Sequence, residues 1–148
     1  MTKAATSRPG PITAVRSFLG ALETLDVDHA MTYAAPDMVY QNVPLPAARG
    51  KAAVDNQLRT LCTYSTGFGA EIHNIAANGS TVLTERTDAL HIGAWQAEFW
   101  VCGTFQVTEG RITLWRDYFD WSTLLVASAR GALRAVGTTA NRLVAGSR

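Results

Sequence analysis

Apolar residues recur along this chain first at helical spacing and then in alternation. Ile12, Val15, Phe18, Leu19, Leu22 and Leu25 fall three or four apart, behind a Pro11 suited to the first turn of a helix. Asp26 is placed to cap a second, short helix over Val27–Ala35, which Pro36 would end. A strand over Met38–Val43, a proline-rich loop over Pro44–Arg49 and a helix over Lys51–Tyr64 follow, the last with Val54, Leu58 and Leu61 on one face. Beyond Gly67 the period becomes two. Ala70–Ala76 and Val82–Leu90 flank Asn78-Gly79, a strong signal of a tight hairpin. Phe99–Val107 alternates, Thr108-Glu109-Gly110 turns it into Ile112–Tyr118, and Trp121–Leu133 reads as a final helix. Met1–Gly10 reads as a loose start. Gly131–Arg148, with Arg134, Arg142 and Arg148 and no acid, reads as a loose or edge-packing basic tail.

Helices and one strand followed by a meander predict an α+β domain spanning residues 1–148. Its sheet should be strongly curved and mostly antiparallel, with helices packed on one face, enclosing a cone-shaped apolar pocket.

Three segments break the apolar pattern. Residues two apart on a strand share a face. One face of Val82–Leu90 therefore reads Val82, Thr84, Arg86, Asp88, Leu90. The face that holds Asp117 also holds Trp115 and Phe119, and Tyr40 shares a face with Asn42. Charges among apolar neighbours are costly unless paired.

Composition narrows the field. Apolar residues make up 47% of the chain and charged residues 17%, below the usual ~25%. Fewer charges to cover the surface favour a subunit interface or an apolar cavity. A net charge of +1 supplies no field for nucleic acid or an anionic membrane. No apolar run approaches the roughly 18 residues of a membrane span, and no leader segment is apparent, so a cytoplasmic protein with reduced thiols is expected. Cys62 and Cys102 make neither a metal spacing nor a CxxC pair.

Arg86, Asp88 and Asp117, if packed together, have a defined chemistry. Two carboxylates alone in an apolar pocket cannot both ionise cheaply. A permanently charged arginine between them can hold one ionised and leave the other protonated, giving a base and an acid at one pH. A tyrosine hydroxyl and an asparagine amide nearby could hold a water against the base. The natural reaction is addition of water to a strained electrophile, with acid help at the leaving oxygen. An arginine and an aspartate two apart on a strand also form plain surface salt bridges, and the spacing alone does not decide between the two.

Longer segments add a resemblance. Thr84-Glu85-Arg86-Thr87-Asp88, Phe105-Gln106-Val107-Thr108-Glu109-Gly110 and Trp115-Arg116-Asp117-Tyr118-Phe119-Asp120 resemble the signature of the limonene-1,2-epoxide hydrolase family. Tyr40-Gln41-Asn42-Val43-Pro44-Leu45-Pro46 is similar to that family's upstream segment. The likeness implies a curved mixed sheet of the nuclear-transport-factor-2-like kind, a homodimer, and neither cofactor nor metal. It implies Asp117 as the general base acting on water, Tyr40 and Asn42 as the groups that hold that water, Asp88 as the general acid at the epoxide oxygen and Arg86 as the bridge. The product would be a vicinal diol formed in one step, from a bulky apolar epoxide of terpene, lipid or sterol type. Leu90, Phe99, Val101 and Phe119 fall where they would line the pocket or simply pack its core. His91–Gln96 departs from the family pattern and is expected near the pocket mouth, and the tail after Leu125 shows no usable match.

Other residues offer less. His29, His73 and His91 lack metal-ligand spacing, and Ser65, Ser80 and Ser122 lack a nucleophile context. Gly67, Gly69, Gly79, Gly103 and Gly110 read as turns or bends. Trp95, Trp100, Trp115 and Trp121, without interleaved basic residues, read as core or pocket walls. Glu71, Glu85, Glu98 and Glu109 read as solvated. Two competing functions remain: an isomerase, cyclase or dehydratase of a polycyclic ketone on the same fold, and a non-catalytic small-molecule binding module.

Overall fold

The computed structural model describes residues 8–145, with side chains through residue 137. Among these the elements run α1 (Pro11–Glu23), α2 (Val27–Thr32), β1 (Ala34–Val43), β2 (Ala48–Arg49), α3 (Lys51–Tyr64), β3 (Gly67–Asn78), β4 (Thr81–Ile92), β5 (Trp95–Thr108), β6 (Arg111–Tyr118) and α4 (Trp121–Ala145). The strands form one sheet in the order β2-β1-β6-β5-β4-β3. β1 runs parallel to β6, and each other neighbouring pair is antiparallel. The architecture is thus α+β with a mixed, mostly antiparallel sheet.

Local chemistry accounts for the element boundaries. Pro11 opens α1, and Ala14, Val15, Phe18, Leu19, Ala21 and Leu22 bury one stripe of it. The helix stops at Glu23, and Leu25 takes a positive φ of 56°, so Leu25 lies beyond the helix rather than on its stripe. Asp26 caps α2 by accepting from the His29 N–H at 2.9 Å. That helix ends at Thr32, short of the expected Ala35, and β1 begins at Ala34. Pro36 explains the shift: it biases the residue before it toward extended backbone. Residues 48–49, expected as loop, instead pair with Tyr40 and Val39 as β2.

Gly79 and Gly110 sit at turns with positive φ, as expected, whereas Gly67, Gly69 and Gly103 lie inside strands. The stretch His91–Gln96 is a tight hairpin, not a separate segment: His91 pairs with Gln96 and Ile92 with Trp95 around Gly93, at φ 58°. The expected loose tail is mostly helical, because α4 runs on to Ala145. It approaches β5 closely at Gly131, where a Cβ would collide with the Gln96 carbonyl, and Trp95 Nε1 donates to the Ser128 carbonyl at 3.0 Å. The last three residues, like the first seven of the expected loose start, lie outside the described residues.

Alternation sets what faces the helices. On β4 the even positions Val82, Thr84, Arg86 and Asp88 are buried, and Leu83 on the other face is exposed. On β5, Val101, Phe105 and Val107 turn inward. Trp100 turns outward, half-exposed, and donates its indole N–H to Glu85 at 3.2 Å, so it is neither core nor pocket wall. The core lies between the inner sheet face and α1, where Phe18 meets Trp115 edge-on with ring centroids 5.1 Å apart. Cys62 and Cys102 are both free thiols. No described helix is long and apolar enough to cross a membrane.

Phe18 has no exposed surface and meets the Trp115 ring edge-on from α1. Phe18→Ala should lower unfolding stability by about 3–5 kcal/mol, measured by chemical denaturation. A loss below about 1 kcal/mol would show that α1 is not seated on the sheet as described.

Candidate active site

Strand pairing brings the three polar segments together. Asp117 on β6 lies opposite Asn42 on β1 and opposite Gly103 on β5, and Gly103 in turn lies opposite Thr84 on β4. Arg86 stands one inward position further along β4, opposite Val101, and Asp88 follows opposite Phe99. All three charged groups are buried: Arg86 is 0%, Asp117 3% and Asp88 5% exposed.

Arg86 joins the two carboxylates. Its Nε and Nη2 donate to Asp88 Oδ1 and Oδ2 at 2.7 and 3.1 Å, a bidentate pairing. Nη2 also donates to Asp117 Oδ2 at 2.5 Å, and Nη1 donates to Thr84 Oγ1 at 3.1 Å. The second oxygen of Asp117 accepts from Trp115 Nε1 at 2.8 Å. Tyr40 and Asn42 form a pair beside it: Asn42 Nδ2 donates to the phenol oxygen at 2.9 Å. Tyr40 stacks on Trp115 with ring centroids 4.1 Å apart.

The electrostatics follow from burial around a single cation. Burial pushes the Asp117 carboxyl up to about 6, against the opposing pull of Arg86. Burial also raises Asp88, again opposed by Arg86. For Arg86, burial works against the charge, but Asp117 and Asp88 more than offset it and hold the guanidinium firmly protonated. Tyr40 is raised well above the usual phenol range by burial and by the nearby Asp117, so its hydroxyl keeps its proton. With both carboxylates ionised, Arg86 leaves the cluster one negative charge in excess. One added proton neutralises it, and that proton belongs to the coupled pair rather than to either residue.

The cluster forms the polar end of an apolar cavity of about 180 Å³. Tyr40, Asn42, Asp88 and Asp117 open onto it, with Trp115 beside them. The expected lining residues Leu90, Phe99, Val101 and Phe119 are all in its wall. Leu22, Leu25, Leu58, Leu61, Cys62, Ser65 and Phe68, from α1, the turn after it, α3 and β3, complete the wall, and no wall position was expected from these segments. No residue of 91–96, the stretch expected near the pocket mouth, is in the wall, although Leu90 just before it is. Phe119 packs between Phe99 and Trp121 at 5.6 and 4.6 Å, and Trp121 Nε1 anchors to the Val43 carbonyl at 2.8 Å. The Ser65 hydroxyl donates to the Leu61 carbonyl, a helix-end bond rather than a nucleophile's arrangement. Thr84, Trp115 and Gly103 were not expected in the site. Alternation places Thr84 on the face of Arg86 and Trp115, read as core or pocket wall, on that of Asp117, but gives neither a hydrogen-bonding role.

The raised Asp117 predicts a pH-dependent stability. A carboxyl whose folded pKa lies above its unfolded value contributes stability that is complete below the unfolded value and lost as pH rises through the folded one. Asp117→Asn removes that titration. Between about pH 7 and pH 4 the native protein should therefore gain on the order of 2–3 kcal/mol relative to Asp117→Asn, measured by denaturant unfolding at both pH values. Parallel pH dependences for the two proteins would show that Asp117 is not perturbed.

Known proteins resemble this chain in sequence and in fold. The model of the limonene-1,2-epoxide hydrolase catalytic domain matches residues 9–130. Epoxide hydrolase EphG of Mycobacterium tuberculosis (strain H37Rv) is 46% identical over 123 residues, covering 83% of this chain and 82% of that one. The solved structure of an M. tuberculosis epoxide hydrolase of the same type superposes with a TM-score of 0.81 at 44% identity, covering 86% of this chain and 96% of that one. A nuclear-transport-factor-2-like protein of Burkholderia pseudomallei K96243 superposes at TM-score 0.71 with 15% identity, over 80% of this chain and 96% of that one, which shows the shared fold alone. The chain is an enzyme that belongs to the limonene-1,2-epoxide hydrolase family.

Proposed function

We propose that this enzyme adds water directly to an apolar epoxide, giving a vicinal diol without a covalent intermediate. The observation that carries the reading is Arg86 seated between Asp88 and Asp117, with the Tyr40–Asn42 pair next to Asp117. Asp117 is the general base. Tyr40 and Asn42 bond to each other, Asn42 Nδ2 to the phenol oxygen at 2.9 Å and the Tyr40 hydroxyl to Asn42 Oδ1 at 3.2 Å, and the attacking water is held by this pair in exchange for the longer bond. Asp88 is the general acid.

The charges balance through the step. The water oxygen bonds to a ring carbon as the carbon–oxygen bond of the epoxide breaks. Asp117 takes a proton from the water and Asp88 gives one to the ring oxygen. The cluster begins with Arg86 charged, one carboxylate and one carboxyl, and it ends with the carboxylate and carboxyl exchanged. Its net charge stays at zero, so no uncompensated charge develops in the apolar cavity. Binding an apolar substrate displaces water from the cavity and favours this neutral, singly protonated state.

The cavity wall is aliphatic and aromatic, which supports an apolar epoxide of terpene, lipid or sterol type. Its volume is small beside the 300–1,000 Å³ or so of drug-sized pockets, which favours the terpene-sized end of that range or a longer chain entering end-on. A homodimer belongs to the same reading. Leu83, Trp100 and Tyr118 expose apolar surface on the outer side of the sheet, a face suited to a second copy.

Purified enzyme should be incubated with terpene, fatty-acid and sterol epoxides in water carrying a heavy oxygen isotope. A diol with one labelled oxygen is expected, and Asp117→Asn should lower turnover by about 10⁴-fold or more, as loss of a base that acts in one unit with its partners does elsewhere. Label-free product, or near-native turnover by Asp117→Asn, would overturn the mechanism and favour an isomerase chemistry.

A further inference from the structure

Gly103 sits in the middle of β5, between Thr84 and Asp117, on the inner face of the sheet. Its backbone is not in the left-handed region, so no turn geometry calls for glycine there. Glycine inside a central strand weakens it. What the position demands is the missing side chain. A Cβ at 103 would overlap Arg86 Nη1, lie 2.6 Å from Thr84 Oγ1 and lie 3.0 Å from Asp117 Oδ1. Arg86 stands on β4 and Asp117 on β6, with β5 between them. The guanidinium crosses β5 through the space that any other residue at 103 would fill.

Trp115 completes the hold. Its ring stacks on Tyr40 at 4.1 Å and Phe105 at 5.9 Å and meets Phe18 edge-on at 5.1 Å, so its orientation is fixed on three sides. Its N–H then points at Asp117 Oδ1, while Arg86 takes Oδ2. With a donor on each oxygen, the carboxylate cannot turn about its Cβ–Cγ bond without breaking one of them. An indole N–H only donates, so it favours the ionised base over the acid.

We propose that Gly103 and Trp115 are positioning residues of the reaction, Gly103 by leaving the opening through which Arg86 reaches Asp117 and Trp115 by locking the carboxylate in one orientation. This rests on Asp117 acting as the base. The ionisable groups around it are Arg86 and Asp88 from β4 and Tyr40 from β1, with Glu23 of α1 acting on Asp88 and Cys62 of α3 in the cavity wall. Trp115→Phe removes the N–H together with part of the ring's bulk and leaves every one of those ionisable groups in place, so the titration of Asp117 rather than the loss of kcat alone reads the bond.

The test compares wild type, Trp115→Phe and Gly103→Ala by steady-state kinetics across pH, and by carboxyl-carbon NMR titration of Asp117 in wild type and Trp115→Phe without substrate. In Trp115→Phe, kcat should fall about 10- to 100-fold with KM little changed, since a misplaced group costs transition-state rather than ground-state binding. The acid limb of kcat and the NMR titration of Asp117 should both move to higher pH, because a bond that stabilised the carboxylate is gone. Gly103→Ala should lose kcat at least as far. Trp115→Phe carries the test alone should Gly103→Ala fail to fold. An unmoved titration and acid limb in folded Trp115→Phe, or native kcat in Gly103→Ala, would overturn the proposal. A wild type with no epoxide turnover, whose Asp117 titration still moves in Trp115→Phe, would overturn the reaction and keep the hold on the carboxylate.

Discussion

One guanidinium sets the terms for the rest of this molecule. Arg86 has no exposed surface, and it stands at the polar end of a cavity that is otherwise aliphatic and aromatic. A buried charge of this kind survives only if partners replace its water. Asp88 supplies two oxygens, Asp117 one and Thr84 one, so every branch of the guanidinium has an acceptor. The same cation is what allows two carboxylates a place in the cavity. Their excess negative charge makes the pair bind a proton readily, which is the property an acid and base working together need.

The fold serves this arrangement through parity and register rather than through loops. The charged groups and their holders stand on strands β1, β4 and β6, with β5 contributing an opening instead of a side chain. Strand-borne groups are held more firmly than loop-borne ones, and the stacked Tyr40, Trp115 and Phe105 rings stiffen the floor beneath them. The walls come mainly from elsewhere: α1, the turn after it, α3 and the aromatic cluster of Phe99 and Phe119. The part of the wall on α1 and α3 is thus carried apart from the chemistry, whereas Leu90, Phe99 and Val101 stand on β4 and β5 beside the cluster.

Much of this was legible in the sequence, for definite reasons. Alternation on β4 and β6 put Arg86, Asp88 and Asp117 on inward faces, because a single-residue slip would have exposed the apolar residues beside them. Helix α3 was expected and found over the same residues, Lys51–Tyr64. What the sequence hid was set by contact across the chain. Gly103 looked like a bend because nothing local tells an open strand position from a turn; its reason is a guanidinium from the neighbouring strand. The wall residues of α1 and α3 share the helical stripe of the core, and only packing separates the two. Helix α4 runs on past Leu133 to Ala145 and meets β5 at Gly131 and Trp95, a contact between segments far apart in sequence. Trp100 showed the limit of composition: an aromatic residue on the outward parity of β5 is exposed however apolar it is.

The central claim is that the Arg86 charge is what makes two buried carboxylates tolerable. Arg86→Met, nearly equal in length and uncharged, tests it through stability alone. Without the cation both carboxyls would have folded pKa values further above their unfolded ones, so the stability they contribute is present at low pH and lost as pH rises. The variant should be about 3–5 kcal/mol less stable than the native protein at neutral pH and recover most of that loss near pH 4, read by denaturant unfolding at each pH. An Arg86→Met protein as stable as the native one at neutral pH would contradict the account.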